Sequence, residues 1–447
     1  MVTHETMIAT IAGPSPLWTI VRLFALWKGM LVLVAAGSAL VGPAYDTSAS
    51  LLLAPASNSS SSMFLARLSS WDAVYFVQQA QRGYVFEQEW AFGEGLPRII
   101  TRALRGLNSV GLLRDGGLEA IAVVGVMVAH VSHLLSSLAL FWLGALVLGD
   151  QRQALVAACL HVLSPAGLFL SAPYAEAGFS YLSFFGLYLF AVSQSPDAAA
   201  YGGGLKKDGA VIVSGFLLGR ATTFRTNGLL NGVPFAYAFC RDCLRFLSAP
   251  SLAGLRRVVV LGVAGLCIAA GSVWPQAVAY TRYCGEPLAE GLSRPEWCSQ
   301  TIPSIYSFVQ RRYWGTGLFQ YWTISNAPLF LLAAPMLYIL IRSGWEMATA
   351  SSGESAEGVK IAAKGDMADL VKALAAAQII LAVTALTSYH VQIITRLSSG
   401  YAVWYWWLAQ RLAGDKKAGG FGKGVVTFMI MYAGIQAVLF SSFLPPA

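Results

Sequence analysis

Charged residues are scarce in this sequence of 447 residues: only 12% are Asp, Glu, Lys or Arg, whereas 56% are hydrophobic. Several apolar runs are long enough to cross about 30 Å of hydrocarbon at about 1.5 Å per residue. The composition therefore predicts an all-α, polytopic membrane protein with a single integral membrane domain, residues 1–447. The net charge of +8 does not indicate a nucleic-acid partner, because the basic residues are distributed between the apolar runs.

Three common motifs are also missing, and cysteine is sparse. The sequence holds no P-loop, no G-x-G-x-x-G after a predicted strand and no H-E-x-x-H, so ATP-driven, dinucleotide-dependent and zincin functions lose their usual support. Of the six cysteines, Cys284 and Cys298 share one predicted oxidising loop. We expect these two residues to form a disulfide.

The apolar segments predict about eleven transmembrane helices joined by three larger loops. Residues 42–116 and 284–325 form loops that we assign to the lumen, and residues 343–368 form a cytosolic loop. Asn58, in the first loop, begins an Asn-Ser-Ser triplet, which is a glycosylation acceptor pattern. The short fifth and sixth spans could instead form one broken, re-entrant pair. The predicted spans are residues 17–41, 117–149, 153–172, 174–194, 209–224, 228–240, 256–283, 326–342, 369–388, 397–412 and 424–443.

Lysine and arginine are distributed unequally between the two sides of the membrane. Apart from Lys28 inside the first span, every lysine falls in or beside a predicted cytosolic loop, as the positive-inside rule requires. The predicted luminal side carries arginine alone. A guanidinium grips phosphate through two parallel hydrogen bonds, which favours a phosphate-bearing ligand. The alternative is simple contact with lipid headgroups at the membrane surface.

Acidic residues are concentrated in one polar stretch, residues 69–97. A lone buried carboxylate costs several kcal/mol in such an apolar chain, so this cluster must face water, a partner cation or a substrate. We therefore expect the stretch to form the active centre. Its acidic residues are Asp72, Glu87, Glu89 and Glu94.

Sequence blocks from this stretch and from later positions resemble the PIG-V-type family of GPI mannosyltransferases. The order and spacing of the blocks also fit, and together they cover nearly the whole chain. The block EQEWAFG is similar to the corresponding sequence of filamentous-fungal members of the family. The blocks are SWDAVYF from Ser70, QRGY from Gln81, EQEWAFG from Glu87, SPAG from Ser164, SAPYAE from Ser171, RTNG from Arg225, YWT from Tyr321 and NAPLFLLAAP from Asn326.

The resemblance implies a glycosyltransferase of the GT-C architecture in the endoplasmic reticulum membrane, with a luminal active site. Such enzymes take mannose from dolichyl phosphate mannose and add the second, α-1,6-linked mannose to the GPI-precursor glycolipid. The fungal likeness also suggests a small accessory membrane subunit. The alternatives are another dolichyl-phosphate-sugar-dependent glycosyltransferase, a transporter of lipid-linked substrates and a structural subunit.

Asp72 is the predicted catalytic base. A β-linked donor and an α-linked product mean inversion, which needs one carboxylate to take the proton from the attacking hydroxyl. Trp71 beside it could stack on a sugar face. The alternative role for Asp72 is the N-cap of the helix that follows. No cofactor or metal is required by this chemistry, although Asp72 with Glu87 or Glu89 could bind Mg²⁺ or Mn²⁺.

Glu87, Glu89 and Trp90 are predicted substrate-binding residues. Either carboxylate could hold sugar hydroxyls or the glucosamine ammonium of the glycolipid. The alternative is a solvated loop charge or a salt bridge to Arg82, and the residues alone favour neither.

Arg225 and Asn227 are the predicted ligands of the donor phosphate. They lie between two short apolar segments, where a broken helix exposes donors to a cavity. Arg220, about one helical turn earlier, is the reserve candidate. The alternative is a helix break in which Arg225 only reaches the membrane surface.

Tyr174, Glu176 and His390 lie at predicted luminal ends of spans and complete the candidate binding residues. Glu176 could touch substrate, but the dipole of the following helix favours a capping role. His390 could bind phosphate or sugar, whereas a structural hydrogen bond is the commoner role.

Overall fold

The computed structural model describes residues 15–41, 45, 60–112, 117–195, 203–285, 294–350, 365–414, 416–442 and 444, and every regular element in these residues is helical. The predicted all-α class is confirmed for this part of the chain. Asn58 lies outside the described residues. The helices are α1 Pro16–Val41, α2 Ser60–Leu68, α3 Ala73–Arg82, α4 Gly95–Ser109, α5 Leu118–Leu148, α6 Gln151–Val162, α7 Ala175–Gln194, α8 Gly203–Phe224, α9 Val233–Ser248, α10 Leu252–Tyr280, α11 Ile305–Arg312, α12 Ala327–Thr349, α13 Asp366–Ser388, α14 Ile394–Leu397, α15 Val403–Ala413 and α16 Lys416–Ser441.

Seven helices in the described ranges are long and apolar enough to cross a membrane. The polytopic class is therefore confirmed, but the predicted count of about eleven spans is not. The seven candidate spans are Pro16–Val41, Leu118–Leu148, Ala175–Gln194, Leu252–Gly285, Ile324–Thr349, Asp366–Ser388 and Gly419–Ser441.

The difference in count comes mainly from short helices. The predicted spans 153–172, 228–240 and 397–412 correspond to α6, α9 and α15, which have 12, 16 and 11 residues, whereas a simple span needs about 20. The third predicted span is interrupted: α6 ends at Val162, and Gly167, with a φ of 52°, begins the short 3-10 helix Gly167–Leu170. Glycine adopts this left-handed conformation without the steric cost that other residues carry.

The loops also differ in extent from the predicted ones. α12 continues to Thr349 and α13 begins at Asp366, so both ends of the predicted loop 343–368 are helical. The predicted loop 42–116 contains three short helices, α2 to α4, and a 3-10 helix, Glu87–Ala91.

The helices α7, α8 and α10 pack closely against one another, with α8 in contact with both of the others. A Cβ atom added to Gly219 of α8 would lie 2.2 Å from the carbonyl oxygen of Cys267, and one added to Gly271 of α10 would lie 2.1 Å from that of Gly219. Only glycine permits the two backbones to approach so closely, as is common where membrane helices cross. This crossing fixes the position of the C-terminal end of α8.

A second, smaller apolar cluster joins the loop segments beside the bundle. It contains Trp90, Trp297 and Val309, and it links the 3-10 helix Glu87–Ala91 to α11. A disulfide between Cys284 and Cys298, with a Cα–Cα distance of 5.7 Å, ties the end of α10 to the same cluster. The cluster therefore holds three separate segments together.

The two ends of the bundle have different charges. α8 has 22 residues, which gives a length of about 33 Å. Lys206 and Lys207 lie near its start, whereas Arg225 follows its last residue. At the same end as Lys207, Asp242 accepts hydrogen bonds from Arg241 and Arg257 over 3.0 Å and 3.2 Å. Lysine and Arg225 thus lie at opposite ends of a membrane-length helix.

Candidate functional site

A cavity of about 260 Å³ opens beside the C-terminal end of α8. Its walls come from the start of α3, the turn after α8, the α11 region and the turn after α13. Residues that are far apart in the sequence thus meet in one polar space. The polar lining residues are Asp72, Arg225, Thr226, Asn227, Tyr306, Gln310, Tyr389, His390, Gln392 and Arg396.

Asp72 directly precedes the first residue of α3 and lines the cavity. Its side chain makes no capping hydrogen bond to α3. One carboxylate oxygen instead accepts a hydrogen bond from the guanidinium of Arg396 over 3.1 Å, and 32% of the side chain is exposed. Trp71 directly before it has a φ of 60°, a strained conformation for a bulky residue. This backbone turn directs the carboxylate towards the cavity rather than towards the helix.

Two arginines share the buried carboxylate of Glu176. The carboxylate oxygen Oε1 lies 2.7 Å from a guanidinium nitrogen of Arg225 and 3.7 Å from Nε of Arg396. Arg396 also lies over the ring of Phe169, 4.4 Å from its centroid. Glu176 is in the first turn of α7, but its contacts are ion pairs with these arginines. The series Asp72, Arg396, Glu176 and Arg225 is thus a connected, charge-balanced network, which lowers the cost of burying each member.

Arg225 and Asn227 lie on the 3-10 segment that interrupts the chain between α8 and α9. The side-chain amide of Asn227 donates to the Tyr401 hydroxyl over 3.2 Å. Thr226 donates to the Tyr306 hydroxyl over 3.0 Å. These contacts hold the segment against the cavity, so Arg225 and Asn227 both reach its interior.

His390 lines the same cavity from the turn after α13. Its Nε2 lies 3.0 Å from the carbonyl oxygen of Trp314, to which it donates as an N–H group. Burial lowers the pKa of His390, and the nearby Arg396 lowers it further, whereas the Trp314 carbonyl and Asp72 oppose the shift. A neutral imidazole of this kind can offer Nδ1 to a hydroxyl group in the cavity.

Tyr174 and Trp71 do not line the cavity, but they contact or adjoin the segment that does. The Tyr174 hydroxyl donates to the Ser70 carbonyl over 3.2 Å, and its ring packs against Phe76 and Phe169. Trp71 is partly buried against the apolar core. Both residues therefore position the segment that carries Asp72.

Glu89, Glu87 and Trp90 lie outside the cavity. Glu89 is buried and lies 2.6 Å from Arg82, which is the salt bridge considered above as an alternative. Burial alone would raise the pKa of Glu89, but the Arg82 guanidinium and the backbone N–H groups of Val85 and Phe86 hold it below its usual range.

Two other members of the acidic stretch also have structural partners. Glu87 accepts from the indole N–H of Trp297 over 3.1 Å. Trp90 stacks on Tyr84 with a centroid distance of 4.4 Å. These contacts explain why the stretch folds as a compact unit beside the cavity.

Arg220 and Glu176 are also predicted binding residues that do not line the cavity, although Glu176 contacts the lining residues Arg225 and Arg396. Arg220 faces a group of charges around the start of α4, where it interacts electrostatically with Glu94, Arg98 and Arg102. Arg220 and Arg225 thus belong to two different sites. In the described ranges, no group of three or more His, Cys, Asp or Glu side chains is arranged to hold a metal ion.

Sequence reasoning did not single out Arg396. It was one of many arginines on the predicted luminal side, and nothing in its neighbours SYHVQIITR indicates that it meets Asp72. One sequence feature indicates a role for Arg396: it lies directly before an apolar segment, on the same predicted side of the membrane as Asp72. Its role depends on a contact between residues 324 positions apart.

Comparisons with known proteins give the family of this chain. The family model Mannosyltransferase (PIG-V) matches residues 19–447. The chain is 48% identical over 467 residues to GPI mannosyltransferase 2 of Chaetomium globosum, covering 97% of this chain and 96% of that relative. It is 33% identical over 308 residues to GPI alpha-1,6-mannosyltransferase 2 of Cricetulus griseus, covering 63% of this chain and 58% of that relative.

Among solved structures, the oligosaccharyltransferase of Archaeoglobus fulgidus in its apo form is similar with a TM-score of 0.45 and 12% identity, over 95% of this chain and 56% of that chain. The family assignment rests on the sequence comparisons, which extend over nearly the whole chain. This protein belongs to the PIG-V mannosyltransferase family.

Proposed function

We propose that this enzyme transfers the second, α-1,6-linked mannose from dolichyl phosphate mannose to the GPI precursor. One observation carries the proposal: the Asp72 carboxylate shares a cavity with Arg225 and Arg396, whose guanidinium groups can bind phosphate. The relatives at high coverage are named as GPI mannosyltransferases of the same step. A base and a phosphate site in one cavity are what transfer from a phosphate-linked sugar needs.

The cavity supports a single-displacement mechanism. Asp72 takes the proton from the acceptor hydroxyl while that oxygen forms a bond to the anomeric carbon of mannose. The bond between this carbon and the phosphate oxygen breaks, and dolichyl phosphate leaves with the bonding electrons. Arg225 and Asn227 bind the departing phosphate, and Arg396 links that site to the base. Attack from the face opposite to the leaving group converts a β-linked donor into an α-linked product.

Charge distribution supports a luminal site in the endoplasmic reticulum membrane. Lys206 and Lys207 lie near the opposite end of α8 from Arg225, about 28 Å away along the helix axis. If the lysines face the cytosol, as the positive-inside rule favours, the cavity faces the lumen. The GT-C architecture and the accessory subunit rest on the family resemblance, and independence from a metal ion rests on the chemistry of the displacement. All three are parts of the same proposal.

The test is expression of this chain in cells that lack their own second GPI mannosyltransferase. The mannose content of the accumulated GPI precursors is then measured. We expect the chain to clear a precursor with one mannose and to restore longer glycans. Clearance of a different precursor would favour another dolichyl-phosphate-sugar transferase. Persistence of the one-mannose precursor, also after coexpression of the host's accessory subunit, would contradict the proposal.

A further inference from the structure

The helix α4 carries a basic face that the transfer mechanism does not use. Arg98, Arg102 and Arg105 are exposed and follow helical spacing, so they lie on one side of the helix. On the other side, Ile100 and Leu104 are buried in the protein core. The apolar side of α4 is therefore covered by the protein itself. The arginine side is left for contact with other molecules.

Positive charge exceeds negative charge in this group. Arg98 lies 2.7 Å from Glu94, and Arg220 is attracted by the same carboxylate. Arg102 and Arg105 have no ion-pair partner among the described residues. Around α4, four guanidinium groups thus stand against the single carboxylate of Glu94. Such a surplus attracts an anion, and the arginine fork fits phosphate oxygens.

The basic side of α4 borders a second cavity, of about 390 Å³, which we call the α4 pocket. It lies beside the catalytic cavity: Gly93 lines the catalytic cavity, and the next residue, Glu94, lines the α4 pocket. A Cβ atom on Gly93 would lie 2.2 Å from the Thr223 carbonyl oxygen, so the wall between the two cavities is fixed backbone. The α4 pocket is lined by Gln79, Tyr84, Arg98, Thr101, Arg102 and Arg105.

We infer that the α4 pocket binds the phosphodiester of the acceptor glycolipid while its mannose lies at Asp72. This inference rests on the proposed function. Each of the two substrates carries a phosphate, and the arginines of the catalytic cavity serve that of the donor. The acceptor phosphate is separated from the accepting mannose by inositol and glucosamine. Gly93 lines the catalytic cavity together with Asp72, and Arg102 lies about 10 Å along α4 from its first residue, Gly95. The α4 pocket thus extends away from the catalytic cavity along the helix.

A binding experiment tests the pocket without catalysis. The full chain is purified in neutral detergent, and binding of dioctanoyl phosphatidylinositol is followed through the Tm, with dioctanoyl phosphatidylcholine as the reference lipid. We expect Arg102→Gln/Arg105→Gln to weaken phosphatidylinositol binding about 5- to 10-fold, because two charge-assisted contacts are lost. Arg311→Gln/Arg312→Gln, which removes two exposed arginines from α11, is the matched control and should bind like the wild type. Equal binding by all three proteins would overturn the inference.

A kinetic experiment then identifies the source of the phosphate. In neutral detergent, Arg102→Gln/Arg105→Gln should raise the KM for the one-mannose acceptor about 5- to 10-fold and leave kcat and the donor KM unchanged. The variant Arg102→Lys/Arg105→Lys keeps the charge and should recover part of the loss. An effect seen only in vesicles with anionic phospholipid would assign the pocket to bulk lipid and refute the acceptor site. If the wild type transfers nothing, the proposed function fails, and the binding experiment still decides the pocket.

Discussion

Replacing Asp72 by Asn separates the two roles that the sequence allows for this residue. The carboxylate accepts a hydrogen bond from Arg396 over 3.1 Å and makes no capping bond to α3. An amide oxygen can keep the hydrogen bond from Arg396, but an amide cannot take a proton from the acceptor hydroxyl. We therefore expect Asp72→Asn to fold normally and to lose most of its transfer activity.

The expected size of the effect follows from the two kinds of interaction. A positioned general base contributes about 10²- to 10⁴-fold to the rate, which corresponds to about 3–5 kcal/mol of activation free energy. The free energy of unfolding should change by less than about 1 kcal/mol, because the side chain is partly exposed and Arg396 keeps Glu176 as a counter-charge. Activity and stability should thus respond very differently.

The assay compares kcat and Tm for the wild type, for Asp72→Asn and for a control with a true helix cap. Asp150 accepts from the backbone N–H groups of Arg152 and Gln153 over 2.8 Å and 3.2 Å. Asp150→Ala should therefore lower stability by about 1 kcal/mol and leave kcat unchanged. Near-normal kcat in Asp72→Asn would refute its role as the base. A fall in Tm as large as that of the control would show that the structural role had been underestimated.

Three further perturbations test other parts of the structure. Glu89→Gln should make the Tm less dependent on pH in acid. In the wild type, Arg82 lowers the pKa of Glu89, so the ionised carboxylate stabilises the fold fully above about pH 4.3. This stabilisation is lost as the pH falls through the lower pKa of the folded state. Cys284→Ser should lower the unfolding free energy by about 3 kcal/mol, because it opens the loop closed with Cys298; the wild type under reducing conditions should shift its Tm equally. Lys28→Met should cost about 1–3 kcal/mol, since Lys28 donates to a buried carbonyl and a buried hydroxyl. A Tm equal to that of the wild type would contradict that role.

Much of the architecture could be predicted because it depends on local patterns. Long apolar runs require helices in a membrane, and all seven candidate spans fall on predicted segments. The lengths of the short helices α6, α9 and α15 were harder to predict, because the average hydrophobicity of a segment does not reveal a turn such as that at Gly167. In these places the backbone leaves the helix where neighbouring helices supply its hydrogen-bond partners.

The candidate site was only partly accessible from sequence. The structure places Asp72, Arg225, Asn227 and His390 in one cavity, whereas the partners of Glu89 could not be chosen from spacing alone. The ion pair between Arg396 and Asp72 depends on how distant helices pack, which local patterns do not encode. Resemblance identified the motif residues, but only packing shows which of them share a cavity.

The long separation between Asp72 and Arg396 has a consequence for biosynthesis. These residues are 324 positions apart, so a ribosome that adds roughly 5–20 residues per second needs tens of seconds to deliver the arginine after the aspartate. From the synthesis of Glu176 to that of Arg396, this carboxylate has at most Arg225 of the two arginines as a counter-charge, and the nascent chain holds an incomplete ion network. Chains truncated before residue 396 would keep this defect permanently, which makes them natural targets for membrane-protein quality control.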